Sequence, residues 1–432
     1  MTTPGRRGAV GGVAVLLLLA ALAALLAQPR LALAPPVAVP RLVDRVSLVT
    51  KLIGANWADP PGITMPNDGF MGVYGADLGA PAYYGGRWYF ALGDTAYLAP
   101  VPWRSANFLV AYAHPDPHLG VPLQLDGYLN PRPAGTLGTA PYRAMSPDPG
   151  PIIPSALFTV TWRGHGGLFA QYMAGGDFGG HDHWSAYSGI ARYDDAARIF
   201  RPYKPTTYLW RRTDRHATDA NRLQYSFGSC SFWADEAGGY LYMVGSPTNR
   251  FGGVKLARLP LAAFLDPADG QPWQYYLGGP EIWATARDEA TVDARAPWLI
   301  PPRDPAFSLD KNYTTARYPP GTDQCAYLTI AEFSVIYHPA LRRYLLLTAS
   351  SACRPNVLLL YSAPALWGPW TAQPEIVTMP STTSDPTWDY YAPYTAPELL
   401  QGGGRAMYFL ASTYRHYGVY LYRAEMRVGP GQ

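Results

Sequence analysis

The sequence predicts an all-β fold, a five-bladed propeller of antiparallel sheets, and three observations carry that prediction. First, the 432 residues include 43 glycines, 44 prolines and 14% aromatics but only 15% charged residues. That composition is too punctuated for a helical protein and too apolar for a disordered one. Second, a glycine- or arginine-led, aromatic-rich strand recurs five times, at residues 87–93, 167–175, 239–245, 343–350 and 406–412. Third, each copy is preceded by one short strand and followed by another, with period-2 patterning and Gly/Pro bounds. Repeated small antiparallel sheets bury their faces only against neighbours of the same kind, which is the logic of a propeller.

In chain order, the preceding strands are expected at 80–84, 155–162, 230–234, 333–337 and 394–400. The following strands are expected at 107–113, 186–193, 253–259, 356–361 and 418–423. Residues 42–52 are available as an outermost strand that closes the ring, so the domain is expected over 42–428. Residues 260–264 read as one helical turn, and 115–151, 211–225 and 281–324 read as long loops. A sandwich would need Greek-key crossings between two large sheets, which regular triplets do not suggest.

Ahead of the propeller, Arg6 and Arg7 precede an apolar run over 8–27, the pattern of an export signal or anchoring helix. The run is long enough to span a bilayer at roughly 20 residues. Cleavage after Ala27 or Ala34 and retention as a membrane anchor are both compatible with it, and either way the C-terminal part faces outward. Residues 1–34 are thus expected as signal or anchor, residues 29–40 as a Pro/Ala linker, and the protein as extracellular or cell-surface. A formal charge of +3 without a Lys/Arg cluster beyond Arg211 and Arg212 argues against nucleic acid as a partner. Of three cysteines, Cys325 and Cys353 fall in one unit and can bridge, which leaves Cys230 as a buried thiol.

The chemistry centres on acids beside apolar strands. Asp77 is expected just before the innermost strand of blade one, Asp94 at the end of the next strand, and Glu332 just before the innermost strand of blade four. A carboxylate in such a place is costly to bury unless it is paired or functional. Glycoside hydrolysis needs two such groups, one protonated for the leaving oxygen and one ionised for water or carbon. Asp94 in Gly-Asp-Thr also suits a turn that caps its own backbone, and Asp77 in Ala-Asp-Leu-Gly suits a turn as well.

Trp103, Arg104 and Asn107 are suited to hold sugar hydroxyls or a carboxylate. His181, Asp182 and Trp184 form a loop cluster that reads as substrate contact or packing, with a metal site the alternative; no metal and no cofactor is implied. Tyr391 joins Asp385, Trp388, Asp389 and Tyr390 in an expected exposed aromatic-acid patch. Loop aromatics, Trp283 and Trp298 among them, offer flat faces to sugar C–H groups. No phosphate loop, dinucleotide fingerprint or serine nucleophile elbow is present.

The motifs Asp77-Leu78-Gly79, Gly93-Asp94-Thr95, Trp103-Arg104-Ser105, Pro151 to Ser155, Tyr187 to Ile190, Glu332 to Val335, Gly368-Pro369-Trp370 and the closing Tyr417 to Arg423 resemble, in order, the domain-of-unknown-function 4185 family. The resemblance covers about residues 65–425. That family is similar to five-bladed propeller glycosidases, and some members are endo-acting arabinofuranosidases on the D-arabinan of bacterial cell envelopes. The resemblance implies a furanoside hydrolase with a polysaccharide substrate and with Asp77, Asp94 and Glu332 as its acids; the N-terminal segment adds the expectation of export, and a monomer is expected. Two alternatives are a non-catalytic carbohydrate-binding or surface-interaction propeller and a metal-dependent phosphoesterase acting through His181 and Asp182.

Overall fold

Repetition of one sheet unit builds the molecule. The computed structural model describes residues 41–54, 73–97, 109–113, 125–129, 152–174, 187–206, 227–246, 253–266, 268–279, 282–285, 296–301, 330–350, 357–373, 377–378, 390–413 and 417–429. The chain's first described strand is β1 (Val43–Ile53). Blade one runs β2 (Val73–Tyr84), β3 (Arg87–Tyr97), β4 (Leu109–Ala113), β5 (Leu125–Leu129). Blade two runs β6 (Ile152–Trp162), β7 (His165–Ala174), β8 (Tyr187–Asp194), β9 (Ile199–Pro205). Blade three runs β10 (Ser229–Asp235), β11 (Tyr240–Ser246), β12 (Lys255–Pro260), β13 (Gln274–Tyr276), β14 (Trp283–Thr285).

Blade four runs β15 (Ile330–His338), β16 (Arg343–Ser350), β17 (Val357–Ala363), β18 (Thr371–Ala372), with β19 (Val377–Thr378) also paired to β17. Blade five starts with β20 (Tyr390–Tyr394); the short β21 (Leu400–Gln401) and β20 both pair with β22 (Ala406–Thr413), which leads to β23 (Gly418–Met426). The sheet then returns to the start of the chain, because β23 pairs antiparallel with β1 from Val43↔Met426 to Ile53↔Val419. The expected ring closure by the N-terminal segment is therefore present. Both ends of the described chain build one blade.

Period-2 alternation explains how each middle strand serves two interfaces. On β22, buried along its whole length, Ala406, Tyr408 and Leu410 pack toward blade one while Met407, Phe409 and Ala411 pack toward blade four. The same parity on β3 sends Trp88, Phe90 and Leu92 toward blade five and Tyr89 and Ala91 toward blade two. Apolar clusters formed this way occupy each junction around the ring, one to two, two to three, three to four, four to five and five to one. Each fully buried Leu or Phe contributes about 1.5–3 kcal/mol relative to exposure. The stability of a blade thus depends on its two neighbours.

Several expected bounds are corrected. The innermost strands of blades one and four begin earlier than the sequence suggested, at Val73 and Ile330, so Asp77 and Glu332 lie inside strands and not before them. In blade five the innermost strand is Tyr390–Tyr394, and residues after it form a 3-10 turn at Pro397–Leu399. Gly75, Gly79 and Pro81 concealed the start in blade one, and Pro393 broke the strand pattern in blade five; in blade two Pro154 likewise concealed a start at Ile152. An innermost strand is a sheet edge, where a proline removes no needed ladder donor.

Segments read as loop also carry outer strands, β5 within 115–151 as the fourth of blade one and β14 within 281–324 as the fifth of blade three. The helical turn is found as α1 (Leu261–Leu265), which buries Leu261, Ala263 and Phe264 between blades two and three. The expected N-terminal apolar helix over 8–27, like Cys325 and Cys353, lies outside the described residues. Among the described residues no helix is long and apolar enough to cross a membrane. Cys230 is buried, and its thiol donates to the Phe227 carbonyl at 3.3 Å.

Candidate functional site

Register places the polar residues of the innermost strands at one depth. Depth is counted along each partner strand from its first residue. Asp77 lies opposite Gly93, six residues on from Arg87; Ser229 lies opposite Ser246, six on from Tyr240; Tyr391 lies opposite Ser412, six on from Ala406. Ser155 is the extra residue in a bulge beside Gln171, six on from His165. Glu332 lies in a bulge between Ile330↔Ser350 and Phe333↔Thr348, around Ala349, six on from Arg343. Blades one to five thus contribute Asp77, Ser155, Ser229, Glu332 and Tyr391, all buried, at one level of the ring. β20 packs against both β2 and β15, so the two acids flank blade five.

Asp77 is held by its own strand and by blade five. The Tyr391 hydroxyl donates to Asp77 Oδ2 at 2.9 Å. Around it, Ala76 N–H donates to the Tyr417 carbonyl at 2.9 Å and the Ser412 hydroxyl to the Leu78 carbonyl at 3.2 Å. Leu78 itself sits in the left-handed region at φ 67, and Gly79 follows at φ 90, where β2 bulges between Leu78 and Ala80. Left-handed leucine costs of order 1–3 kcal/mol and persists only where its surroundings hold it; such residues cluster at functional sites. Gly93 is required for clearance, because a Cβ there would fall 2.3 Å from Asp77 Oδ1.

The strand around Glu332 is held from three directions. The Glu332 carbonyl accepts from the Thr348 hydroxyl at 3.1 Å within blade four. Just beyond it, Val335 N–H donates to the Ser231 hydroxyl of blade three at 2.8 Å, and Thr395 N–H of blade five donates to the Ser334 hydroxyl at 3.1 Å. A bulge re-aims the side chain it carries, and β2, β6, β15 and β20 all bulge at this level. Glu332 is 7% exposed and Asp77 8%. Two acids, each at a bulge in a strand that neighbouring blades hold, can serve acid-base chemistry without moving the fold.

Behind Ser155 a polar network tightens blade two. Ser155 Oγ donates to Gln171 Oε1, while Gln171 Nε2 donates to Ser188 Oγ at 2.7 Å and to the Gly228 carbonyl at 2.9 Å. The Thr206 hydroxyl donates to Ser188 Oγ at 2.5 Å. Ser155 and Ser188 fall within motifs of the family resemblance, but Gln171 and Thr206 carry no pattern that sequence reading picks out, since Thr and Gln are commonplace on strands.

The predicted site residues fare differently. Asp94 is not a turn residue: β3 continues to Tyr97, and Asp94 with Thr95 falls in a bulge opposite Ala76, next to the partner of Asp77. Tyr391 and Tyr390 are not an exposed patch but are buried, at 5% and 3% exposure. Trp283 belongs to strand β14, not a loop, with the Arg258 guanidinium 4.0 Å over its ring and 4.1 Å over that of Tyr240. Trp103, Arg104, Asn107, His181, Asp182 and Trp184 lie outside the described residues. Among the described residues no group of three His, Cys, Asp or Glu side chains is arranged to hold a metal.

Solved structures similar to this chain include the catalytic domain of the Coprinopsis cinerea GH62 α-L-arabinofuranosidase, at 13% identity and TM-score 0.48, covering 90% of this chain and 98% of that one. The exo-β-1,3-galactanase of Phanerochaete chrysosporium is similar at 12% identity and TM-score 0.42, covering 89% and 67%. The Bombyx mori GH32 β-fructofuranosidase is similar at 13% identity and TM-score 0.44, covering 87% and 64%. No curated protein matches the chain. The family model described as domain of unknown function DUF4185 matches residues 65–423, and the chain belongs to that family.

Proposed function

We propose that the protein is an exported glycoside hydrolase that cleaves a furanoside polysaccharide of the arabinan type, with Asp77 and Glu332 as its paired carboxyls. The supporting observation is the shared depth of these acids on the innermost strands of blades one and four, either side of blade five. Glu332 donates a proton to the leaving glycosidic oxygen. Asp77 activates water on the opposite face of the sugar or attacks the anomeric carbon. A carboxyl separation of about 5 Å corresponds to nucleophilic attack and roughly 6.5–9.5 Å to water activation. Asp94, beside the partner of Asp77, tunes the pair.

Trp103, Arg104, Asn107, His181, Asp182 and Trp184 supply stacking and hydrogen bonds to the polymer in this reading. The segment after Arg6 and Arg7 delivers the monomeric protein to the cell surface or beyond.

Product analysis on bacterial cell-envelope D-arabinan and plant arabinan side by side tests the proposal. Wild type is expected to release oligosaccharides from the former, and Asp77→Asn and Glu332→Gln to lose at least about 100-fold in rate. Binding of both polymers with no products from either would replace this reading with a carbohydrate-binding propeller.

A further inference from the structure

We infer that Tyr391 is the positioning residue of Asp77: its hydroxyl aims one carboxylate oxygen and favours the ionised form, which assigns the negative charge of the pair to Asp77. This inference rests on the hydrolase reading above and adds a division of labour to it.

Three observations carry it. The phenol donates to Asp77 Oδ2 at 2.9 Å between two buried side chains, where a hydrogen bond to a charged acceptor is strong. An acceptor-only carboxylate suits that donor, and donation to the charged form stabilises it. Next, non-glycine residues in the left-handed region adjoin both ends of the bond: Leu78 at φ 67 follows Asp77, and Ala392 at φ 51 follows Tyr391. Each lies where its strand slips register, at Leu78/Ala80 and at Tyr391/Tyr394. Without these bulges the alternation of each strand would turn its side chain elsewhere.

Finally, the bond joins residues 314 apart in sequence, across the junction of the first and last blades. Its geometry therefore exists only in the closed ring. Tyr391 is a positioning residue and not a sugar platform, since its face is packed in the blade-one-to-two cluster with Leu78 and Tyr394.

The test compares Tyr391→Phe, which removes one oxygen, with Ser412→Ala, which cuts the neighbouring bond to the Leu78 carbonyl across the same junction. Steady-state hydrolysis of D-arabinan and thermal midpoints are measured for both. Tyr391→Phe is expected to lower kcat by roughly 10- to 100-fold with KM changed less than about twofold. Loss of kcat by both variants alike, in step with their thermal midpoints, would mean a merely structural tyrosine and overturn the inference alone. A wild type inert on every arabinan tested overturns the hydrolase reading and this inference together.

Should Tyr391→Phe not fold, 3,5-difluorotyrosine incorporated at 391 keeps the ring and poses the same question. Ionised, it no longer donates, so kcat should fall as the phenol titrates; a response identical to that of the unmodified protein overturns the inference.

Discussion

At the scale of single residues, the protein fixes polar side chains by removing their alternatives. Asp77 has a clear place because Gly93 has no Cβ, and His338 shows the same device at the other end of an innermost strand. His338 Nδ1 accepts from Leu341 N–H at 3.2 Å, so Nε2 carries the proton and donates to the Gly404 carbonyl at 2.9 Å, from blade four to blade five. A Cβ at Gly404 would lie 2.5 Å from His338 Cε1.

Burial lowers the His338 pKa from 6.5. The unfolded chain therefore takes up a proton that the folded one resists, so stability is present above pH 6.5 and is lost as pH falls below it. Thermal unfolding from about pH 8 to about pH 5 should show a steeper acid decline in wild type than in His338→Gln. Parallel curves would remove His338 from the account. Sequence gave no sign of this role, since a lone histidine at a strand end does not announce its partner.

At the scale of elements, bulges decide what the strands can do. Gly79 is placed where β2 comes close to β23: its φ is +90 and a Cβ would fall 2.6 Å from Val419 Cγ1. Gly79→Ala adds both backbone strain and overpacking, and a loss of about 1–3 kcal/mol is expected in denaturant unfolding. A midpoint equal to wild type would show that blade five gives way at Val419. The second strand of each unit was legible because both its faces are buried, giving a dense apolar run led by a glycine or arginine turn, as in the arginine-led 343–350, which β16 matches. The innermost strands were read short because proline and glycine signal turns locally, whereas at a sheet edge they are tolerated.

At the scale of the molecule, closure is the feature on which the rest depends. β1 brings Leu52 and Ile53 into the junction of blades five and one, and Lys51 Nζ lies 5.4 Å over the Tyr420 ring. Glycines at 54 and 418 leave room for the Lys51 stem, whose Cε would meet their Cβ atoms at 2.8 and 2.7 Å. This strand precedes residue 65, where the family match begins, yet it completes the last blade. A chain starting at Gly54 should leave β23 as an open edge and form aggregates detectable by light scattering. A monomeric, cooperatively unfolding product of that truncation would contradict this dependence.

The sequence by itself determined the class of the fold, the number of blades and the strand that closes them, because apolar periodicity and turn residues are local properties repeated five times over. It also singled out Asp77 and Glu332, since an acid beside an apolar run is visible without knowing its neighbours. Only the tertiary structure decided that the two share a depth, that Tyr391 is buried against Asp77 and that left-handed Leu78 and Ala392 hold both ends of that bond. Those facts depend on register slips and on a contact between the first and last blades, and neither is encoded in any short stretch of chain.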